Sequence, residues 1–142
     1  MEMTEALRPS VLLSETHFPY LARKGVIAEA LAIGLAGTPR VGEEKLPALR
    51  ASASIDRETG AVTLSVVNID LERGIPAEVR LVGASVRGVK GKGLFSEDIH
   101  ARNSVSSPRE VAPRKVAVDL REGRIVHEFR PHSVTVLRIE TS

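Results

Sequence analysis

Apolar and polar positions alternate with a period of two over most of the chain after Leu49, the signature of strands that bury one face. Ala51 to Ile55 and Ala61 to Val67 alternate in this way on either side of Asp56-Arg57-Glu58-Thr59-Gly60, whose Asp and Gly are hairpin-turn residues. Ala77 to Val82 is stricter, with Val79 and Leu81 facing one way and Glu78 and Arg80 the other. Ser85 to Val89 continues the pattern until glycines interrupt it, and Gly88 to Gly93 reads as a flexible hairpin tip that places Lys90 and Lys92 in a solvated turn. Lys115 to Leu120 and Arg124 to Phe129 alternate around the turn Arg121-Glu122-Gly123, and Ser133 to Ile139 forms a last strand. Between Ser96 and Pro113 the period is lost, which predicts a long loop wrapping an end of the fold.

Short strands at intervals of roughly 8 to 12 residues, punctuated by Gly and Pro, predict an all-β protein: an antiparallel β-sandwich of jelly-roll-like form. In the first third, alanines favour helix while Gly25, Gly34 and Gly37 interrupt it, and period alone does not choose between helix and strand. A short helix over Phe18 to Lys24 followed by a strand over Ile27 to Leu35 fits the glycines best. The chain therefore divides into an N-terminal segment, 1–45, that joins the sandwich, and a sandwich domain, 46–142.

At 142 residues the chain is one domain, too short for a (β/α)₈ barrel of about 250 residues. Aromatics are 3% with Trp 0, so the core is aliphatic and stacking platforms for single-stranded nucleic acid are lacking. The net charge of +2 comes from 20 basic and 18 acidic residues interleaved along the chain, unlike the clustered cations of a nucleic-acid binder. The longest apolar stretch, Val26 to Gly37, contains Glu29 and is too short to span a bilayer. Met1 to Pro9 has no signal-peptide pattern, so the expected location is the cytoplasm and the expected partners include neither nucleic acid nor membrane. Cys 0 removes disulfides, thiolate metal sites and thiol catalysis together. Gln is absent, and Asn occurs only at Asn68 and Asn103, a depletion of thermolabile types that is a thermophile habit.

Candidate chemistry is sparse. His17, His100, His127 and His132 show no metal-ligand spacing, so no metal or other cofactor is expected. Glu97 and Asp98 are adjacent and point apart on an extended chain, so they do not form the facing pair of a glycosidase. No Gly-x-Ser-x-Gly elbow is present, and the Gly-Val-Lys-Gly-Lys-Gly run lacks the spacing of a phosphate loop. His100, Lys90 and Lys92 are the candidate ligand contacts, with anionic glycans or phosphates the chemistry that suits the lysines. In the long loop, Asp98 and Asn103 are short side chains able to brace nearby backbone.

Four stretches together resemble one family. Leu46-Pro-Ala-Leu-Arg-Ala-Ser-Ala-Ser, Leu64-Ser-Val-Val-Asn-Ile-Asp-Leu, the loop positions Leu94, Asp98, Ala101, Asn103, Ser104, Pro108, Val111 and Pro113, and the closing Pro131-His-Ser-Val-Thr-Val-Leu carry the likeness. They resemble the C-terminal β-sandwich domain of the α-L-arabinofuranosidases of glycoside hydrolase family 51. Ile69 stands where that family usually has Arg, and Ser96 where Gly is common. The resemblance implies a non-catalytic sandwich whose loop residues Asp98, Asn103, Pro108 and Pro113 are structural. In the family both catalytic glutamates lie on a (β/α)₈ barrel, and no position of this chain matches either. It implies further that the chain self-associates or joins a separately encoded catalytic barrel. A free-standing carbohydrate-binding module is the alternative, although such sites present aromatic rings and only Phe18, Tyr20, Phe95 and Phe129 are available.

Overall fold

In this computed structural model the described residues are 10–15 and 29–142. They form twelve strands and no helix: β1 Ser10–Glu15, β2 Glu29–Ala36, β3 Arg40–Val41, β4 Leu46–Pro47, β5 Leu49–Ile55, β6 Val62–Asn68, β7 Ile75–Leu81, β8 Val86–Leu94, β9 Arg114–Val116, β10 Asp119–Arg121, β11 Arg124–Phe129 and β12 Ser133–Thr141. The helix expected over Phe18 to Lys24 lies outside the described residues.

Ten strands run in the order β10-β11-β7-β1-β2-β5-β6-β12-β8-β9, while β3 and β4 make a separate two-stranded ribbon. The order folds back on itself as two layers, one ending at β10 and the other at β9, joined through β2. Glu29 and Ala30 of β2 pair with β5, and the rest of that strand pairs with β1 in the other layer. At the opposite side the chain passes directly from β9, on the edge of one layer, to β10, on the edge of the other. Both sides of the sandwich are thus spanned by chain that changes layer. All pairings are antiparallel except β1 with β7, which is parallel and departs from the all-antiparallel expectation.

Period two produces the core directly. Val62, Leu64 and Val66 of β6 and Leu137 and Ile139 of β12 face inward from one layer, against Ile75, Ala77, Val79, Ile125 and Phe129 of the other. Phe129, Leu64, Ile125 and Leu137 are fully buried, so among the described residues the interior is aliphatic around a single ring. Burying each such side chain contributes about 1.5–3 kcal/mol. The β10–β11 hairpin closes on Glu122 and Gly123 with φ of 51° and 76°, the pair of positive values a tight twisted hairpin requires.

Two expectations fail at one place. Gly88 to Gly93 is no hairpin tip but the middle of the nine-residue strand β8. Its glycines answer a close approach: a Cβ at Gly91 would lie 2.7 Å from Cγ2 of Val116 and 2.9 Å from Cγ2 of Val118. Likewise Lys115 to Leu120 is not one strand, because it is divided between β9 and β10 where the chain changes layer. The lack of a Cβ at Gly91 and Gly93 lets this crossing segment pack down on β8, so glycine here marks contact where it was read as a break.

Candidate functional site

Alternation along β12 buries Thr135, Leu137 and Ile139 and turns Val134, Val136 and Arg138 outward. The β8 register carries this across the sheet, with Lys92 opposite Val136, Lys90 opposite Arg138 and, on β9, Lys115 opposite Lys92. Outside β8 and β12 lies an open groove of about 720 Å³, walled by Val116, Ala117 and Val118 of the crossing segment. Four of its eleven lining residues are cationic (Lys90, Lys92, Lys115, Arg138) and none is acidic. Val136, 37% exposed, contributes to its apolar surface. Lys90 and Lys92, expected in a solvated turn, therefore stand side by side on a strand, in a groove that also gathers Lys115 and Arg138.

On the other side of the crossing segment is a smaller cavity of about 290 Å³, lined by Phe95, Lys115, His127, Glu128, Arg130, Ser133 and Thr135 among others. Arg130 lies 4.2 Å from the centre of the Phe95 ring, and Arg114 lies 5.9 Å from it. His127 packs edge-on against Phe129 with ring centres 4.9 Å apart. Burial pushes the His127 imidazole below its ordinary value, partly opposed by a hydrogen bond to the Ala117 backbone and by the charges of Glu128 and Asp119. A neutral imidazole here can hold the crossing segment to β11.

The long loop keeps its predicted residues close to backbone. Asp98 accepts from the His100 amide at 2.8 Å, so His100 is held in the loop and does not line the lysine groove. The Asn103 side chain donates to the Val111 carbonyl at 3.0 Å and accepts from the Val111 amide at 2.7 Å, imitating a strand partner across the loop. The clasp is exposed, with Val111 itself half-buried. Pro108 and Pro113 lie in the same irregular segment, Pro113 directly before β9. Glu97 and Asp98 are both exposed, and no group of three potential metal ligands is present among the described residues.

A polar cluster that sequence reasoning quoted only for its resemblance lies at the β6 end. Asn68, 1% exposed, donates to the carbonyls of Arg73, Phe129 and Arg130 at 3.0–3.1 Å and accepts from the Asp70 amide at 2.9 Å. Asp70 in turn accepts from the Glu72 and Arg73 amides at 2.9 Å and from Arg73 Nε at 2.6 Å. The Glu72 amide first, with the Arg73 amide and side chain, holds the Asp70 carboxyl below its ordinary value. His132, at φ 38°, donates its amide to the Asp70 carbonyl at 2.8 Å. This knot ties β6, the β6–β7 turn and the β11–β12 turn together. The only sequence signal for it was a short amide at the inward-facing end of an alternating strand.

Among the described residues no helix is long and apolar enough to cross a membrane. No protein-family model and no curated protein matches the sequence. Solved structures do share the fold. A family 51 glycoside hydrolase, an arabinofuranosidase from Xanthomonas axonopodis pv. citri, has a TM-score of 0.72 at 24% identity over 80% of this chain and 23% of its own. A family 51 alpha-L-arabinofuranosidase from Bifidobacterium longum has a TM-score of 0.69 at 21% identity over 80% of this chain and 22% of its own. A bifunctional glucanase-xylanase from a metagenome library is more distant, with a TM-score of 0.57 at 17% identity over 80% of this chain and 18% of its own. The chain thus has the fold of a unit that makes up less than a quarter of these arabinofuranosidases.

Proposed function

We propose that this chain is a non-catalytic β-sandwich of an arabinofuranosidase-like glycoside hydrolase, supporting the stability or assembly of a catalytic barrel that lies outside residues 1–142. The observation that carries the reading is the fold shared with under a quarter of each arabinofuranosidase. A sandwich also accompanies the glucanase-xylanase, which argues that such a unit serves catalytic partners of differing specificity. Retaining chemistry needs two carboxyls held about 5 Å apart on rigid elements. Here Glu97 and Asp98 sit exposed on an irregular loop instead. The carbohydrate-module alternative has less support, since Phe129 is buried and Arg130 covers a face of Phe95.

The purified chain should not hydrolyse aryl arabinofuranosides. Added to an arabinofuranosidase barrel stripped of its own sandwich, it should raise that barrel's melting temperature and sediment with it. Hydrolysis that survives purification and falls in Glu97→Ala or Asp98→Ala would overturn the proposal, as would failure to bind any such barrel combined with a monomeric state at micromolar concentration.

A further inference from the structure

The groove along β8 has features that support of a barrel does not require. Its cations stand in directly opposed cross-strand pairs, Lys90 with Arg138 and Lys92 with Lys115. Opposed residues of neighbouring strands have Cβ atoms only about 4.5–5.5 Å apart, and like charges in that relation destabilise a sheet. Among the described residues none of these three lysines is in an ion pair. Arg138 has an acidic neighbour in Asp56, whose carboxyl is held low mainly by the Glu58 amide and least by Arg138. The arrangement costs stability that an anionic occupant recovers.

We propose that the groove docks an extended acidic polypeptide segment bearing carboxylates at every second residue and apolar side chains between them. Lys90 and Lys92 are two residues apart on one strand, so their stems are about 6.6 Å apart, the spacing of alternate side chains on any extended chain. One edge of such a segment meets the lysines, and its apolar side chains meet Val136, exposed on the same face, and the exposed Ala117 of the crossing segment. The volume of about 720 Å³ accommodates a few residues of chain. A peptide suits this groove better than an anionic glycan because its apolar lining is aliphatic and no aromatic ring lines it. The inference does not depend on which catalytic unit the sandwich serves.

The test uses the intact chain and a fluorescein-labelled octapeptide of alternating Glu and Val, read by fluorescence anisotropy. Saturable binding is expected, weakening steeply between low and high salt as exposed charges are screened. A Lys–Val octapeptide should not bind, and a Glu–Ser octapeptide should bind at least about tenfold more weakly, since it lacks the apolar contact. Lys92→Glu with Arg138→Glu should also cost at least about tenfold, while circular dichroism reports that the sheet is retained. If that variant fails to fold, the salt dependence and the two control peptides on the unaltered chain decide the matter. Equal binding of Glu–Val and Glu–Ser, binding unaffected by charge reversal, or binding of polygalacturonate but not of the Glu–Val peptide would overturn the proposal.

Discussion

Replacing Asn68 by Ala removes the centre of the knot that joins β6 to both neighbouring turns. The amide contacts three carbonyls and one amide N–H. Its NH₂ carries two hydrogens, so the three carbonyls share them, and about three full hydrogen bonds are lost. At 1% exposure, water does not readily take over the partners. Each stranded buried group costs about 1–3 kcal/mol, and neighbouring losses are not additive, so the expected destabilisation is about 3–5 kcal/mol. That is a large part of the roughly 5–15 kcal/mol that holds an ordinary domain folded. Urea unfolding followed by far-ultraviolet circular dichroism measures it, with the slope unchanged and the midpoint shifted. Asn68→Asp separates donor loss from volume loss, because it points a carboxylate at three carbonyls. Burial among acceptors raises that carboxyl's folded value above its unfolded one. The deficit relative to the unaltered chain is therefore greatest at neutral pH and shrinks as the pH falls through the raised value. A loss below about 1 kcal/mol for Asn68→Ala would refute the reasoning, because it would mean the knot is worth no more than one exposed hydrogen bond.

Gly91→Ala should destabilise by about 1–2 kcal/mol, since methyl groups of Val116 and Val118 would lie under 3.0 Å from the new Cβ and overpacking outweighs the roughly 0.4–1 kcal/mol gained in the unfolded chain; a rise in melting temperature would contradict the close packing of the crossing segment. Burial lowers the His127 imidazole, so the unfolded chain binds the proton first and stability falls as the pH drops below about 6.5; His127→Gln should flatten that part of the pH–melting profile. The Asp70 carboxyl is lowered as well, so its contribution is present above the ordinary value of 3.8 and is lost on further acidification, a loss that Asp70→Asn should remove along with the stabilisation itself. Asn103→Ala should cost only about 0.5–1.5 kcal/mol in urea unfolding, because its clasp on Val111 is exposed and water can replace it.

Period two was enough to place β5, β6, β7, β11 and β12 and to divide most of their residues into an inward aliphatic set and an outward polar set, because in a strand neighbouring side chains take opposite faces, although Glu78 is buried and Val134 and Val136 face outward. The turn at Glu122-Gly123 and the long irregular loop were legible for an equally local reason, the backbone preferences of Gly, Asp and Pro. Of strand β8 only the start, up to Val89, was legible, because a glycine reads alike whether it ends a strand or makes room for a neighbour, and the neighbour, Val116, is 25 residues away from Gly91. For the same reason Lys90 and Lys92 could be named as candidate contacts, but their company with Lys115 and Arg138 could not, since it exists only through the registers of β8 with β9 and β12.

Local pattern thus determined the class of fold, the composition of the core and such turns as Glu122-Gly123, all of which follow from each residue and its near neighbours. Pairing across distant segments decided the rest: the layer changes at β2 and between β9 and β10, the parallel contact of β1 with β7, the Asn68 knot and the cationic groove. Each of these depends on which strands lie side by side and in what register, a choice made by the packing of the whole chain and carried by no single stretch of it.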